Sequence, residues 1–210
     1  MTNSIAILGI HTGIGKTIAS AVIAEATGAD YWKPVQAGTE ERDTAMVMQL
    51  ITDGANRVHR EAIILSRPIS PHSAAAIDGR EIDYTKFEWP VTNKKLLIET
   101  AGGILSPMAA TTTMADFVKH YQLPAILIVQ NYLGSINHTL LSIEVLKSRG
   151  IHLSGIVMNG NENKSSESFI EHYGKIPVIA RIQHFNKLDN HSIIKCAAQI
   201  KNSLNNLFLN

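Results

Sequence analysis

Ile5-Ala6-Ile7-Leu8-Gly9-Ile10-His11-Thr12-Gly13-Ile14-Gly15-Lys16-Thr17 is the stretch that decides the fold. Four apolar residues with no polar alternate read as a strand buried on both faces. Gly9 ends the run, and a helical pattern follows over about Lys16–Ala26. A strand, a glycine-rich loop and a helix in that order build an anion cradle. Glycines let successive backbone N–H groups turn inward, and the helix N-terminus adds partial positive charge. In such a cradle Gly13, Ile14 and Gly15 offer backbone donors, Lys16 reaches the outer phosphates, and the Thr17 hydroxyl is a ligand for Mg²⁺. The strict spacing asks for glycine at position 10, where Ile10 stands, and the first glycine comes one place earlier, at Gly9. The closing Gly-Lys-Thr and its strand–loop–helix context still point to a nucleoside triphosphate.

The same alternation continues outward. Tyr31–Val35 reads as a second strand, cut by Pro34, and Leu96–Ile98 as a third. Ala125–Val129 is the clearest strand, Gly155–Met158 another, and Ile176–Ile179 the last. Helical patterns fill the gaps: about Glu41–Ile51, then Ile136, Leu140, Ile143 and Leu146, and finally Ile193, Ala197, Ile200, Leu204 and Leu207. The polar stretch Asn161–Ser168 reads as a loop leading into a helix. Bare strands separated by helices predict an α/β fold of three layers, P-loop NTPase-like, with a mostly parallel central sheet covered by helices on both faces. At 210 residues the chain reads as one domain over 1–210.

Composition narrows the function. A hydrophobic share of 45% with 18% charged residues argues against disorder. A net charge of +1 gives no general attraction for nucleic acid or an anionic membrane, so anion binding has to be local. The one cysteine, Cys196, cannot form an internal disulfide, which fits a reducing compartment. No apolar run reaches a membrane span, and Met1–Leu8 lacks the basic start and apolar core of a leader. The expectation is a soluble cytoplasmic protein.

In open parallel sheets ligands sit beyond the carboxyl ends of strands, and the chemistry-bearing residues follow strand ends. Lys33 precedes Pro34, Asp43 opens a helix, and Glu99 ends an apolar strand before Ala101-Gly102-Gly103. Taken alone, Lys33 reads better as a solvated lysine. Thr17, Asp43 and Glu99 together are the hard oxygen donors that Mg²⁺ takes. Ser70 and Pro71 read as the N-cap and first residue of a helix. Gly134–Asn137 leads from the strongest strand into a helix, either as a plain cap or as a second anion site for a substrate carboxylate.

Six segments then line up with a known family. Gly9–Thr17, Lys33-Pro34-Val35-Gln36-Ala37-Gly38, Ser70-Pro71-His72, Glu99–Gly103, Leu133–His138 and Gly155–Asn159 resemble the dethiobiotin synthetases, ATP-dependent ligases of biotin synthesis. The resemblance implies a reaction. One amine of 7,8-diaminononanoate captures CO₂ as a carbamate, ATP phosphorylates it, and the second amine closes a cyclic urea. The products are dethiobiotin, ADP and phosphate. It also implies roles for residues of this chain. Lys16, Lys33 and Thr12 would be catalytic. Thr17, Asp43 and Glu99 would hold Mg²⁺. Nucleotide contacts would come from Gly13–Ile18, Asp43, Glu99, Thr100, Ala101 and Gly102. Asn159, Gly160, Ile176, Pro177 and Val178 would lie on the base side. Substrate contacts would come from Lys33, Ala37, Ser70, Pro71, Gly134, Ser135, Ile136 and Asn137, the last four offered across a homodimer.

This chain departs from the family pattern at four places. His11 stands where aspartate is usual, Ala37 where a hydroxyl residue is usual, Thr100 in place of a glycine, and Arg181 near a usually acidic position. Two other classes fit less well. Partitioning and cell-division ATPases commonly carry an extra lysine early in the loop, where Ile10 and His11 stand here. An amidotransferase-linked ATPase needs a second domain with a nucleophilic cysteine.

Overall fold

A strand that is apolar at every position needs cover on both faces, and the structure supplies it. The computed structural model describes residues 3–204 and Leu207; Met1 and Thr2, where the leader reading begins, lie outside the described residues. In chain order the elements begin with β1 (Ser4–Gly9), α1 (Lys16–Thr27), β2 (Asp30–Trp32), β3 (Val35–Ala37), α2 (Asp43–Leu50), a one-turn α3 (Gly54–Arg57), β4 (Val58–His59), β5 (Ile63–Leu65) and α4 (Pro71–Ile77). They continue with β6 (Leu96–Glu99), α5 (Met114–His120), β7 (Ala125–Gln130), α6 (Ser135–Ser148), β8 (Leu153–Asn159), α7 (Lys164–Gly174), β9 (Val178–Ile182) and α8 (Asn190–Ile200).

Seven strands form one sheet in the order β4-β2-β6-β1-β7-β8-β9, and every pairing in it is parallel. Ile5, Ala6, Ile7 and Leu8 in the middle of this sheet are fully buried. From β1 the chain winds to one side through β2, then returns past β6 and winds to the other through β7, β8 and β9. Right-handed crossovers in opposite directions put α1 on one face and α6 and α7 on the other. Accordingly α1 packs against α8, and α6 against α7. The winding reverses at β1, so the ligand crevice is expected at the carboxyl end of that strand, where the phosphate loop begins.

Two expected strands differ in detail, and proline is the cause in both. Tyr31–Val35 is not one strand. Pro34 has no N–H to continue the ladder, so β2 stops at Trp32 and β3 pairs with β5 in a separate two-stranded sheet. The Pro34 carbonyl accepts from the Ile63 N–H at 3.0 Å. This split leaves Lys33 at the carboxyl edge of the main sheet. The last strand starts two residues later than read, at Val178, and runs to Ile182. Pro177 only lends its carbonyl to the Ile156 N–H at 2.9 Å.

Candidate active site

Gly15 carries the tightest constraint in the phosphate loop. It caps α1 in the left-handed region at φ 80°, and a Cβ there would stand 2.2 Å from the Asn159 amide nitrogen. That amide donates to the Ile14 carbonyl at 2.7 Å, tying the end of β8 to the loop. Ile14 itself is buried, while His11, Thr12 and Gly13 are exposed. Lys16 is 7% exposed and its ammonium lies 3.3 Å from the His11 carbonyl, curled back along the loop. Burial pulls its pKa down to about 8; nearby Glu99 opposes the shift and the Lys33 ammonium adds to it.

In front of the loop four side chains interlock. Lys33 Nζ is 2.6 Å from Asp43 Oδ2 and 3.1 Å from Glu99 Oε1. The Thr17 hydroxyl donates to Asp43, with Glu99 Oε1 also within reach at 3.0 Å. Glu99 is 1% exposed, and its other oxygen accepts from Ser20 Oγ at 2.7 Å and the Tyr31 hydroxyl at 3.1 Å. Burial would lower the Lys33 pKa, but Glu99 and Asp43 overcome it and hold the pKa above the ordinary value. Burial would likewise raise the Asp43 carboxyl, and Lys33 and Thr17 overcome that, keeping it below the usual range. Lys33 is therefore no solvated lysine: it is a buried cation held by two carboxylates.

A cavity of about 530 Å³ opens over this cluster. Its wall brings together the sequence-predicted positions Thr12, Gly13, Gly15, Lys16, Thr17, Ile18, Lys33, Ala37, Asp43, Ser70, Pro71, Glu99, Ala101 and Gly102 from distant parts of the chain. Gln36, Met46, Pro68, Ile69 and Ser106 also line it and were not predicted. Met46 follows Asp43 by one helical turn, so it shares that face of α2. Gln36 Oε1 accepts from the Asp43 N–H at 3.3 Å, and Ser106 Oγ accepts from the Gly103 N–H at 2.8 Å. As read from the sequence, Ser70 is the N-cap and Pro71 the first residue of α4.

Other predicted positions fall outside the cavity wall. Thr100 is buried, and its hydroxyl donates to the Ile7 carbonyl at 3.0 Å, so the side chain replacing a glycine turns into the sheet. Arg181 is engaged by Glu167 of α7, which also accepts from Asn131 at 2.6 Å and the Asn163 N–H at 2.8 Å. Its positive charge is met inside the chain. Gly134, at φ 100°, caps α6, and Ser135 beneath it is buried while Asn137 and Leu133 are exposed. The His138 ring one turn on stacks 6.3 Å from the His11 ring, which sets this loop beside the phosphate loop.

The base-side reading needs one correction. Ile176, Pro177 and Val178 lie at the start of β9, level with Ile156 and away from the carboxyl edge. Asn159 and Gly160 do reach that edge, but their neighbour there is the other end of β9: the Gly160 N–H donates to the Ile182 carbonyl at 2.7 Å. Parallel strands share one ligand edge, so Gln183–Phe185, after β9, is the segment beside Asn159.

A family model described as an AAA domain matches residues 3–192. An ATP-dependent dethiobiotin synthetase of Christiangramia forsetii is 42% identical over 97% of this chain and 99% of its own length. Another, of Paramagnetospirillum magneticum, is 42% identical over 84% of this chain and 86% of its own. A ParA family ATPase from Chlorobium tepidum has a similar fold, with TM-score 0.53 and 12% identity over 97% of this chain and 92% of that one. That likeness speaks for the P-loop NTPase architecture alone. The sequence likeness reaches further, over nearly the whole chain, and by it the chain belongs to the dethiobiotin synthetase family.

Proposed function

We propose that this chain, acting as a single ligase domain, carboxylates 7,8-diaminononanoate with CO₂ and closes it to dethiobiotin, converting ATP to ADP and phosphate. The observation that carries the reading is Lys33. A buried ammonium stands between Asp43 and Glu99 directly beside Thr17, the residue that ends the phosphate loop.

Lys16 and the loop N–H groups of Gly13–Thr17 bind the triphosphate, and Ile18 follows on the cavity wall. The Thr17 hydroxyl and the Asp43 and Glu99 carboxylates fit Mg²⁺, because the hydroxyl lies against both carboxylates and each carboxylate already holds one cation, the Lys33 ammonium. Among the described residues no three His, Cys, Asp or Glu side chains form a metal cage of their own. Phosphate oxygens would supply the rest of the ion's ligands. When bound, the ion neutralises charge on the transferring phosphoryl group. Lys33 holds the anionic carbamate in line with the γ-phosphate, and Thr12, across the cavity beside Gly102, bridges the two. These are positioning and charge-stabilising tasks, which phosphoryl transfer chiefly requires. Ala37 and Pro71, with Met46 and Ile69, give the diamine an apolar wall, and Ser70 adds a hydroxyl beside it. Asn159 and Gly160 read the base together with Gln183–Phe185.

The backbone of Gly134–Asn137 is left for the substrate carboxylate of a second copy in a homodimer. An exposed Leu133 at this α6 N-terminus, outside the cavity of its own chain, supports that arrangement. No helix among the described residues is long and apolar enough to cross a membrane, and a cytoplasmic location suits a chain whose one cysteine, Cys196, is free and buried.

The test is a coupled assay with diaminononanoate, bicarbonate, Mg²⁺ and ATP, reading dethiobiotin and phosphate together. Equal amounts of both, dependent on the diamine, are expected. Phosphate released at the same rate without the diamine, and no dethiobiotin, would show a nucleotide switch of the partitioning type instead.

A further inference from the structure

Two buried hydroxyls near the cluster have no part in the roles above. Ser20 in α1 and Tyr31 in β2 are fully buried, and both donate to one oxygen of Glu99, Oε2, at 2.7 and 3.1 Å. The other oxygen, Oε1, is left to the front of the site, 3.0 Å from Thr17 Oγ1 and 3.1 Å from Lys33 Nζ. A carboxylate turns freely about its last torsion, so a lone buried Glu99 could present either oxygen, or both, to the cavity. Two donors on one oxygen remove that freedom.

We propose that Ser20 and Tyr31 are positioning residues, clamping Glu99 so that Oε1 alone faces the place shared by Lys33 and a divalent cation. The proposal rests on the metal reading given above. Its geometry follows from chain order. Ser20 lies three residues after Thr17, on the same face of α1. Tyr31 lies two residues before Lys33, on the strand that delivers it. The elements that carry the front contacts of Glu99 thus carry its back contacts too. A phenol is protonated at neutral pH, so Tyr31 donates to Glu99 there.

A hydroxyl that merely satisfied a buried carboxylate would affect stability and leave metal binding alone. The deciding experiment is therefore Mn²⁺ titration of the full chain with ADP present, followed by the paramagnetic resonance of free Mn²⁺. Urea unfolding is run on the same samples. Tyr31→Phe and Ser20→Ala should each weaken Mn²⁺ about tenfold, the size found when the partner of a metal ligand is removed. Metal-free ADP affinity should hold. The apparent KM for Mg²⁺ should rise while that for the diamine stays put. Folded Tyr31→Phe with wild-type or tighter Mn²⁺ affinity overturns the proposal, whatever its urea midpoint, and this near-isosteric change decides the matter even if Ser20→Ala does not fold. Glu99→Gln separates the two claims. If it weakens Mn²⁺ and Tyr31→Phe does not, only the clamp is wrong. If it leaves Mn²⁺ binding unchanged, the metal site is wrong and the clamp falls with it.

Discussion

At the scale of single residues the two lysines have different surroundings, and these predict different responses to change. Lys33→Ala removes the cation that Asp43 and Glu99 share. Dethiobiotin formation should fall ~10²–10³-fold, the cost of losing one preorganised charge contact in a dry site. ADP affinity, assigned above to Lys16 and the loop, should stay within about threefold by calorimetry; turnover at the wild-type rate would make Lys33 a structural cation with no part in the reaction. For Lys16 the prediction is a pH dependence. Burial lowers its pKa to about 8, so the empty site loses this charge as pH rises through that value. A phosphate favours the ammonium, so above it nucleotide binding must take up a proton. Metal-free ADP affinity should be flat below pH about 7 and then weaken, approaching about tenfold per unit, the limit for one proton. Calorimetry at pH 7 and 9 in two buffers of different ionisation heat checks both the affinity and the proton uptake. Lys16, Lys33 and Glu99 were legible because each sits at a strand end or in a glycine-rich loop. Ser20 and Tyr31 were not. Their partner, Glu99, is 79 and 68 residues away in sequence, and no local spacing reports such a pairing.

Among the elements, the sequence shows most clearly what periodicity governs. The α1 and α6 patterns and the bare runs of β1 and β7 all appear where expected, because burial on both faces leaves an unbroken apolar signature. What it hides is where a strand leaves its sheet. Pro34 marks a break, but only the pairing of Val35–Ala37 with Ile63–Leu65 shows the chain entering a second sheet. The sequence also hides which end of a strand faces the ligand: Ile176–Val178 open the last strand both as read and as found, and a strand's two ends face opposite edges of the sheet. A buried arginine is the other hidden joint. Arg57, at the end of α3, donates to the carbonyls of Ala24, Ala29 and Thr52 and pairs with Glu25 at 3.3 Å. It closes the C-terminus of α1 against α3 and the start of β2. Arg57→Ala takes this donor from those carbonyls and leaves Glu25 to Thr52 alone. The expected loss is about 3 kcal/mol, near the lower end for a broken buried pair, read as a lower urea midpoint at an unchanged m-value. Because Arg57 sits at the far end of α1 from the phosphate loop, ADP affinity in the folded variant should match the wild type. Unaltered stability would mean that water replaces all these contacts at little cost.

For the whole molecule the question is whether one chain holds a complete site. The cavity over Lys33 has donors for phosphates, a cation and a carbamate, yet Gly134–Asn137 is not part of its wall. That loop instead points its apolar residues outward: Leu133 is fully exposed, and Tyr132 beside it is 38% exposed. A fully exposed leucine costs free energy in water, and at the free N–H groups of an α6 terminus it is well placed for contact with another subunit. If a second copy covers it, assembly and substrate binding are linked. Leu133→Asp should then shift the chain toward monomer in sedimentation velocity, because a buried carboxylate at an apolar contact is strongly opposed. Its KM for the diamine should rise tenfold or more as the carboxylate contact is lost, an amount worth about 1.4 kcal/mol of binding. Metal-free ADP binding, wholly within one chain, should not change. The pattern across the three measurements is what matters: a wild-type chain that sediments as a monomer at assay concentration and still turns over fully would place the carboxylate contact inside a single subunit. Diamine affinity unchanged in a monomeric Leu133→Asp would lead to the same conclusion.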